Sequence, residues 1–124
     1  MSLANEMQSQ FSAQQVAGIV GSQNNALTAA GTTQATATVA GSQYNRVTTA
    51  GAAGAPFAGV ILPSSKGVGD EVEVVNVTTV NIAVYPPVGG KLNGNAVNVP
   101  LIMAPLRCHT FFCVDGTSWD VDSI

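Results

Sequence analysis

Charged side chains are scarce in this sequence. Lys, Arg, Asp and Glu make up 9% of its 124 residues, whereas about 25% is usual for a soluble domain. A free domain normally stays dispersed through its surface charge. This chain must therefore expose Ser, Thr, Asn and Gln instead, or cover much of its surface against other protein. The low charge favours a virion or fibre component over a free cytosolic enzyme.

Basic residues and long apolar runs are also few. Arg46, Lys66, Lys91 and Arg107 are scattered along a chain of net charge −3. Without a basic cluster to neutralise phosphates, we expect no nucleic-acid partner. No apolar run approaches the ~18–20 residues needed to span a bilayer, so we expect no membrane partner. The N-terminus has neither a basic start nor a continuous apolar stretch, which predicts synthesis in the cytoplasm without a secretory signal.

The residues that most often carry chemistry are nearly absent. His109 is the only histidine, and the two cysteines are Cys108 and Cys113. The odd spacing of the cysteines on a strand points them to opposite faces, which predicts free structural thiols. A lone histidine without a second cysteine pair predicts no metal site. His109 and Cys113 would share a strand face but lie about 13 Å apart. We therefore expect no enzyme, no cofactor and no small-molecule substrate.

The segment "VYPPVGGKLNG", residues 84–94, has a Gly-Gly-Lys that invites comparison with a phosphate-binding loop. Such a loop needs a glycine five residues before its Gly-Lys and a hydroxyl residue after it, at the start of a helix. Tyr85 and Leu92 occupy those two positions, and no helical pattern follows. We interpret the segment as turns, with a reversal at Gly89–Gly90 and a second tight turn at Asn93–Gly94.

The N-terminal region differs in composition from the remainder of the sequence. Its first 45 residues carry one charged side chain, Glu6. Leu3, Met7 and Phe11 are spaced four apart, which predicts a short amphipathic helix. A small, polar, Ala/Thr-rich stretch follows, and we expect it to be an extended arm that lies against neighbours. This predicts an attachment segment over residues 1–43.

Short β-type runs separated by turn residues fill the chain from Tyr44 onward. In "EVEVVNV", Glu71 and Glu73 alternate with Val72 and Val74, the pattern of a half-buried strand. Such runs recur every 8–12 residues, between Gly, Pro, Asn or Asp. The rhythm predicts an all-β fold, a single β-sandwich or jelly-roll-like barrel over residues 44–124, preceded by the extended N-terminal arm with its short helix.

Several short motifs occur in a characteristic order. A "QATAT" arm precedes an "N-x-V-T-T" strand, a "V-x-L-P" strand, a "V-x-N" strand, a "V-Y-P" strand with an "N-G" turn, and a terminal "G-T-x-W". The matching positions are Gln34–Thr38, Asn45–Thr49, Val60–Pro63, Val74–Asn76, Val84–Pro86, Asn93–Gly94 and Gly116–Trp119. In this order, over about 90 residues from Thr32 onward, the chain resembles a group of small β-structured virion proteins of tailed bacteriophages and prophages.

The resemblance implies a head decoration (capsid cement) protein. It implies a homotrimer that binds the major capsid protein on the capsid exterior of the virion, where its arms spread over neighbouring subunits. The arm Thr33–Val39 would then pair as an added strand with a neighbour. The residues expected to contact the capsid or another subunit are Leu3, Met7, Phe11, Val16, Ile19, Thr33, Gln34, Thr36 and Thr38.

Two other functions are compatible with the same sequence. A tail-fibre or tailspike-associated module would bind a host glycan or protein and would need an exposed aromatic patch around Tyr85 or Trp119. A lectin-like domain outside any virion would be a monomer that does not need its first 30 residues. Trp119 is the only tryptophan. Near the end of a terminal strand it can stack on a sugar or, more often, close the core.

Overall fold

Strands are the main regular secondary structure of the described part of the chain, and helix is almost absent from it. In a computed structural model, the structure describes residues 22–122, so the predicted helix with Leu3, Met7, Phe11, Val16 and Ile19 lies outside the described residues. The only helical element in 22–122 is a 3₁₀ turn at Gln34–Thr36. The all-β class is confirmed. The strands are β1 (Gln23–Ala29), β2 (Thr38–Val39), β3 (Tyr44–Ala50), β4 (Gly59–Ile61), β5 (Glu71–Asn76), β6 (Ile82–Tyr85), β7 (Leu101–Met103), β8 (Arg107–Cys113) and β9 (Trp119–Val121).

The strands form two sheets, and the first six alternate between them. A five-stranded sheet has the order β1-β3-β5-β8-β9, and a four-stranded sheet has the order β2-β4-β6-β7. Within each sheet the alternating strands are parallel neighbours, β1 to β3 to β5 and β2 to β4 to β6. The chain thus winds through three stacked coils, each with one strand in either sheet. The last three strands add antiparallel pairs, β7 on β6, β8 on β5 and β9 on β8.

This winding does not close into a barrel, which was one of the two architectures considered from the sequence. Both sheets are mixed and open, and neither closes into a barrel. Tyr44 of β3 lies opposite Gln23 on one side and Glu73 on the other, so neighbouring strands are separated by a whole coil of chain. Turn residues mark where a strand ends. They do not tell whether the next strand returns beside it or crosses to the other sheet.

One hydrophobic core joins the two sheets. On β5, Val72 and Val74 are fully buried while Glu71 is exposed and Glu73 half-buried, as the alternation predicts. The cluster takes side chains from both sheets, which are Leu27, Ala29, Val47, Val72, Val74, Phe111, Cys113, Trp119 and Val121 from the five-stranded sheet and Val60, Ile82, Val84, Leu101 and Met103 from the four-stranded sheet. Burying these apolar surfaces is the main source of stability.

Two buried asparagines fasten the strand ends to the loops. Asn45 on β3 donates from Nδ2 to the carbonyls of Ser42 (2.6 Å) and Glu73 (3.2 Å). Asn76, at the end of β5, donates from Nδ2 to the carbonyls of Val80 before β6, of Met103 at the end of β7 and of Ala104 directly after it. Its Oδ1 accepts from the N–H of Thr78. Buried polar groups are costly unless bonded, so the asparagines of the "N-x-V-T-T" and "V-x-N" motifs serve the fold.

The core extends into the region expected to be an arm. β1 pairs with β3 along its length, and Leu27, Ala29 and Ala40 belong to the core cluster. The predicted boundary at residue 43 therefore falls between strands that pack on the same core. No helix in 22–122 is long and apolar enough to cross a membrane.

Candidate functional site

The one histidine and both cysteines of the sequence lie on β8. Cys108 is exposed and Cys113 is buried, on opposite faces of β8 as predicted, and both are free thiols. The Cys108 Sγ donates to Glu73 Oε1 at 2.8 Å. Local desolvation, this hydrogen bond and the negative charges of Glu73 and Asp122 raise the pKa of Cys108 to about 12. A thiol with that pKa is a poor nucleophile at neutral pH.

His109 lies beside the carboxylate of Asp122. Its Nδ1 lies 3.3 Å from Asp122 Oδ1 across the β8–β9 pair, and its ring packs edge-on against Phe111. Among residues 22–122, no group of three His, Cys, Asp or Glu side chains is placed to hold a metal ion. The acidic side chains likewise serve turns, since Asp115 Oδ1 accepts from the backbone N–H of Thr117 and of Ser118.

The segment 84–94 is a set of turns, as the sequence predicted. β6 ends at Tyr85, Gly89 has a positive φ of 88° and Asn93 one of 54°. Gly90, the second glycine of the predicted reversal, has no positive φ and is required because of a close backbone contact. A Cβ at Gly90 would lie 1.6 Å from the carbonyl oxygen of Thr117, so no side chain fits between the two backbones.

The arm residues named from the resemblance are bonded within their own chain. Thr33 and Thr36 close the 3₁₀ turn, with their hydroxyls 2.8 Å apart. Gln34 donates from Nε2 to the carbonyl of Pro86 at 2.8 Å. Thr38 lies opposite Val60 in the β2–β4 pair. The arm was expected to pair with a neighbouring molecule, but β2 pairs with β4 of its own chain on one side. Within residues 22–122, its other side is an unpaired edge of the four-stranded sheet.

Neither candidate aromatic faces a ligand. Trp119 is 1% exposed and belongs to the core cluster. Tyr85 is 9% exposed, and its ring lies over Gly59, where a Cβ would come within 2.8 Å of Cε2. The ligand-facing placement considered for these two side chains is therefore wrong.

Of the two sheets, only the five-stranded sheet carries charged residues on its strands. No strand of the four-stranded sheet carries a charged residue. All charged residues of the described chain lie on strands of the five-stranded sheet or in loops, and they are Arg46, Lys66, Asp70, Glu71, Glu73, Lys91, Arg107, Asp115, Asp120 and Asp122. The four-stranded side exposes apolar groups instead, with Val39 at 57% and Ile102 at 45% exposure.

A groove runs along the end of this uncharged sheet. Its volume is about 480 Å³, and its lining carries no charge: Val39, Ile61, Leu62, Pro63, Ser64, Ser65, Pro87, Val88 and Thr117. Ile61 alternates with the core residue Val60 and lies opposite Val39, so both face away from the core. Val88 is 70% exposed at the rim. We call this feature the apolar groove.

Sequence reasoning did not single out the apolar groove. Its residues come from four separate segments, around β2, around β4, after β6 and in the β8–β9 turn, and the first three become neighbours only through parallel pairing. The available signal was the absence of charge from residues 47–65 and 74–90. No family model, curated protein sequence or solved structure matches this chain.

Proposed function

We propose that this protein is a bacteriophage capsid decoration protein. It binds the lattice of the major capsid protein as a homotrimer on the capsid exterior and stabilises the head by binding, without catalysis. The proposal starts from the resemblance of the ordered motifs and from one structural observation, the segregation of charge between the two sheets. A free protein gains nothing from an uncharged side with exposed Val and Ile, whereas a protein that docks on others does.

The four-stranded side is the proposed contact surface. Val39 and Ile102 lie on its two edge strands, and Val88, Val97 and Val99 are exposed in the segment that joins β6 to β7. Apolar side chains and a low density of charge are typical of the buried centre of a protein interface. The five-stranded sheet, with its charged residues, would face solvent and keep the decorated capsid dispersed.

The proposed mechanism is a clamp across several joints of the capsid. Packed DNA presses outward, and a clamp adds contact area at each joint between capsid subunits. Three attachment points on one trimer make the second and third contacts nearly intramolecular, which raises the overall affinity without new types of contact. The β2 edge can accept an added strand from a neighbour, and residues 1–21 supply apolar anchors.

We also propose that the two sheets pack face to face as a β-sandwich. The shared core supports this arrangement, because buried residues of both sheets belong to one cluster. In such a sandwich, the chain would cross from one sheet to the other after each of the first five strands, and it would thereby form the three parallel coils.

The first test is the mass of the full chain and its binding to capsids. Light scattering should give about three times the chain mass of 12.6 kDa. The full chain should also co-sediment with expanded heads from the phage or prophage that encodes it, prepared without their decoration protein. A chain that stays with the supernatant at every head concentration would contradict the proposal.

Two variants with equal exposure locate the contact surface. Ile102 on β7 is 45% exposed, and Val114, directly after β8, is 44% exposed. Ile102→Lys places a charge on the uncharged side and should weaken co-sedimentation, since a buried unpaired charge is costly. Val114→Lys places the same charge beside the five-stranded sheet and should not. Equal binding of both variants would refute the assignment of the surface.

The contribution of residues 1–21 to capsid binding can be measured with a truncated chain that begins at Ser22. A chain that begins at Ser22 keeps every strand of the described structure. A chain that begins at Thr32 would also lose β1 with its core residues Leu27 and Ala29, and would confuse binding with folding. We expect the chain from Ser22 to fold and to bind capsids more weakly than the full chain.

A further inference from the structure

The apolar groove is open at a place where water would contact several apolar side chains. Val39 and Val88 are 57% and 70% exposed, and Ile61 lies between them. A volume of about 480 Å³ is within the range of sites that hold a ligand or a few large side chains. The described chain places no side chain of its own inside it. The question is which apolar group would occupy it.

The N-terminal segment, residues 1–21, joins the described structure close to this groove. The Ser22 carbonyl accepts from the Tyr44 N–H at 3.0 Å, and the Ser22 Oγ accepts from the Gln43 N–H at 3.0 Å. Gln43 follows the groove residue Val39 by four positions. A chain rises at most ~3.3–3.6 Å per residue, so Ser22 and Val39 are separated by roughly 17 Å at most, including the hydrogen bond.

The length of the N-terminal segment exceeds this distance several-fold. Twenty-one residues can span up to about 70 Å when extended. A stretch ending at Phe11 is joined to Ser22 by eleven residue steps, which cover the separation even when the chain is far from extended. The tether also gives the segment a high effective concentration at the groove, of the order of mM for a short linker.

The chemistry of the segment matches the chemistry of the groove. Leu3, Met7 and Phe11 are large apolar side chains in a stretch whose one charged side chain is Glu6. The groove lining is uncharged, and charges of both signs lie near it in sequence: Lys66 follows Ser65, and Asp115 precedes Thr117 by two positions and accepts hydrogen bonds from its N–H and hydroxyl. The match is therefore between large apolar side chains and an uncharged lining.

We propose that, in the free protein, the apolar groove binds residues 1–21 of the same chain through the side chains of Leu3, Met7 and Phe11. The groove thereby covers the apolar groups that would otherwise be exposed before the protein meets a partner. The proposal concerns the free protein and does not rest on the capsid assignment. A failure of either can be seen without the other, because no capsid is present in the following measurement.

Met7 offers a direct probe of this contact in the full chain. The chain has three methionines, and Met103 is fully buried in the core. We would label the methionine methyl groups with carbon-13 and measure their relaxation by a soluble nitroxide. The Met7 methyl should be shielded relative to free methionine amide in the same tube, while the Met103 methyl reports the folded core. A Met7 methyl that relaxes like free methionine amide overturns the proposal.

Two lysine variants show whether the groove causes the shielding. Val88→Lys puts a charge at the rim of the groove, at a side chain that is 70% exposed, and should abolish the shielding of Met7. Leu106→Lys makes the same kind of change at a side chain that is 80% exposed, in the turn between β7 and β8. It should leave the shielding intact. An unchanged Met7 shielding in Val88→Lys overturns the proposal, provided that the Met103 signal confirms folding.

A mixing experiment separates the same chain from a neighbouring copy. Labelled Val88→Lys protein is refolded together with an excess of unlabelled wild-type protein. If each segment uses its own groove, the labelled Met7 stays exposed. Shielding of Met7 in the mixture would mean that a neighbouring copy supplies the groove, and would overturn the same-chain assignment.

Discussion

Replacing Asn76 with aspartate should destabilise the protein strongly at neutral pH and much less in acid. Asn76 is fully buried. Its Nδ2 lies 2.9, 3.1 and 3.2 Å from the carbonyl oxygens of Val80, Met103 and Ala104. Its Oδ1 accepts from the N–H of Thr78 at 3.0 Å and from the hydroxyl of Thr78 at 2.7 Å. Aspartate has the same shape but would turn a carboxylate oxygen towards three carbonyl oxygens.

The size of the effect follows from the cost of neutralising that carboxylate. Burial and the three carbonyl dipoles would raise the pKa of the new carboxyl in the folded state. Protonating a group with an unfolded pKa of about 3.9 at pH 7 costs up to about 4 kcal/mol. The protonated acid donates one hydrogen bond where the amide donated two, which costs about 1 kcal/mol more. The expected loss near pH 7 is about 5 kcal/mol, close to the whole stability of many domains.

The sign of the pH dependence is fixed by the direction of the shift. A carboxyl whose folded pKa is raised binds more protons when folded, so the variant loses stability as the pH rises above the unfolded pKa of about 3.9. Near pH 4 the protonation cost nearly disappears, and the deficit should fall to about 1–2 kcal/mol. Wild-type carboxyl groups also titrate in this range. The quantity to compare is therefore the difference between variant and wild type at each pH.

Urea unfolding at pH 7 and pH 4 measures these differences. Trp119 is the only tryptophan and is 1% exposed, so its fluorescence should report loss of the core. Asn24→Asp is the matched control, because Asn24 Oδ1 accepts a solvent-exposed hydrogen bond from the Ala26 N–H that a carboxylate also accepts. The reasoning is refuted if Asn76→Asp is as stable as Asn24→Asp at pH 7, or if its deficit is equal at the two pH values.

Three further changes test single contacts. Gly90→Ala should lower the free energy of unfolding by ~3 kcal/mol or more, because its Cβ would overlap the backbone carbonyl of Thr117 and no rotamer can relieve that contact. Cys108 should react with iodoacetamide at pH 8 ~10²–10³-fold more slowly than a free thiol, because its pKa is raised to about 12. Glu73→Gln should increase the rate of this reaction, because after desolvation the hydrogen bond and the charge of Glu73 are the next causes of the raised pKa. Backbone hydrogen bonds from Ser118 and Thr117 lower the pKa of Asp115. The stability that its ionised form contributes should therefore be present above its ordinary pKa of 3.8 and should be lost as the pH falls through the lower folded value. Urea unfolding of Asp115→Asn and of wild type at each pH measures this difference.

Each of these tests has a control within the chain. Gly94→Ala introduces the same methyl group where no atom lies within 4 Å and should cost much less than Gly90→Ala. Cys113 is buried and should stay unmodified until the protein unfolds, so labelling of Cys113 reports the unfolded fraction. The Asp115 reasoning is wrong if Asp115→Asn and wild type differ equally at pH 3 and pH 7.

From Tyr44 onward, the sequence alone indicated a series of strands and turns, because those features depend on local patterns. The alternation around Glu71 to Val74 gave the correct inward and outward faces of β5. The opposite orientations of Cys108 and Cys113 followed from an odd spacing on one strand. The turns around Gly89 and Asn93 followed from residues that tolerate a positive φ. The absence of a catalytic or metal-binding constellation stays a prediction.

Pairing between strands was decided only in the tertiary structure. Alternation tells which side chains point inward, but it does not tell which of two sheets a strand joins. Residues 23–29 looked like part of a polar arm, yet they form β1 and place Leu27 in the core, because β3 offers a parallel edge to them. The apolar groove arises in the same way, since β2, β4 and the end of β6 become neighbours through pairing across more than twenty residues of chain. Local composition therefore determined most of the elements from Tyr44 onward and their faces, and long-range pairing determined the winding and the surface on which the proposed function depends.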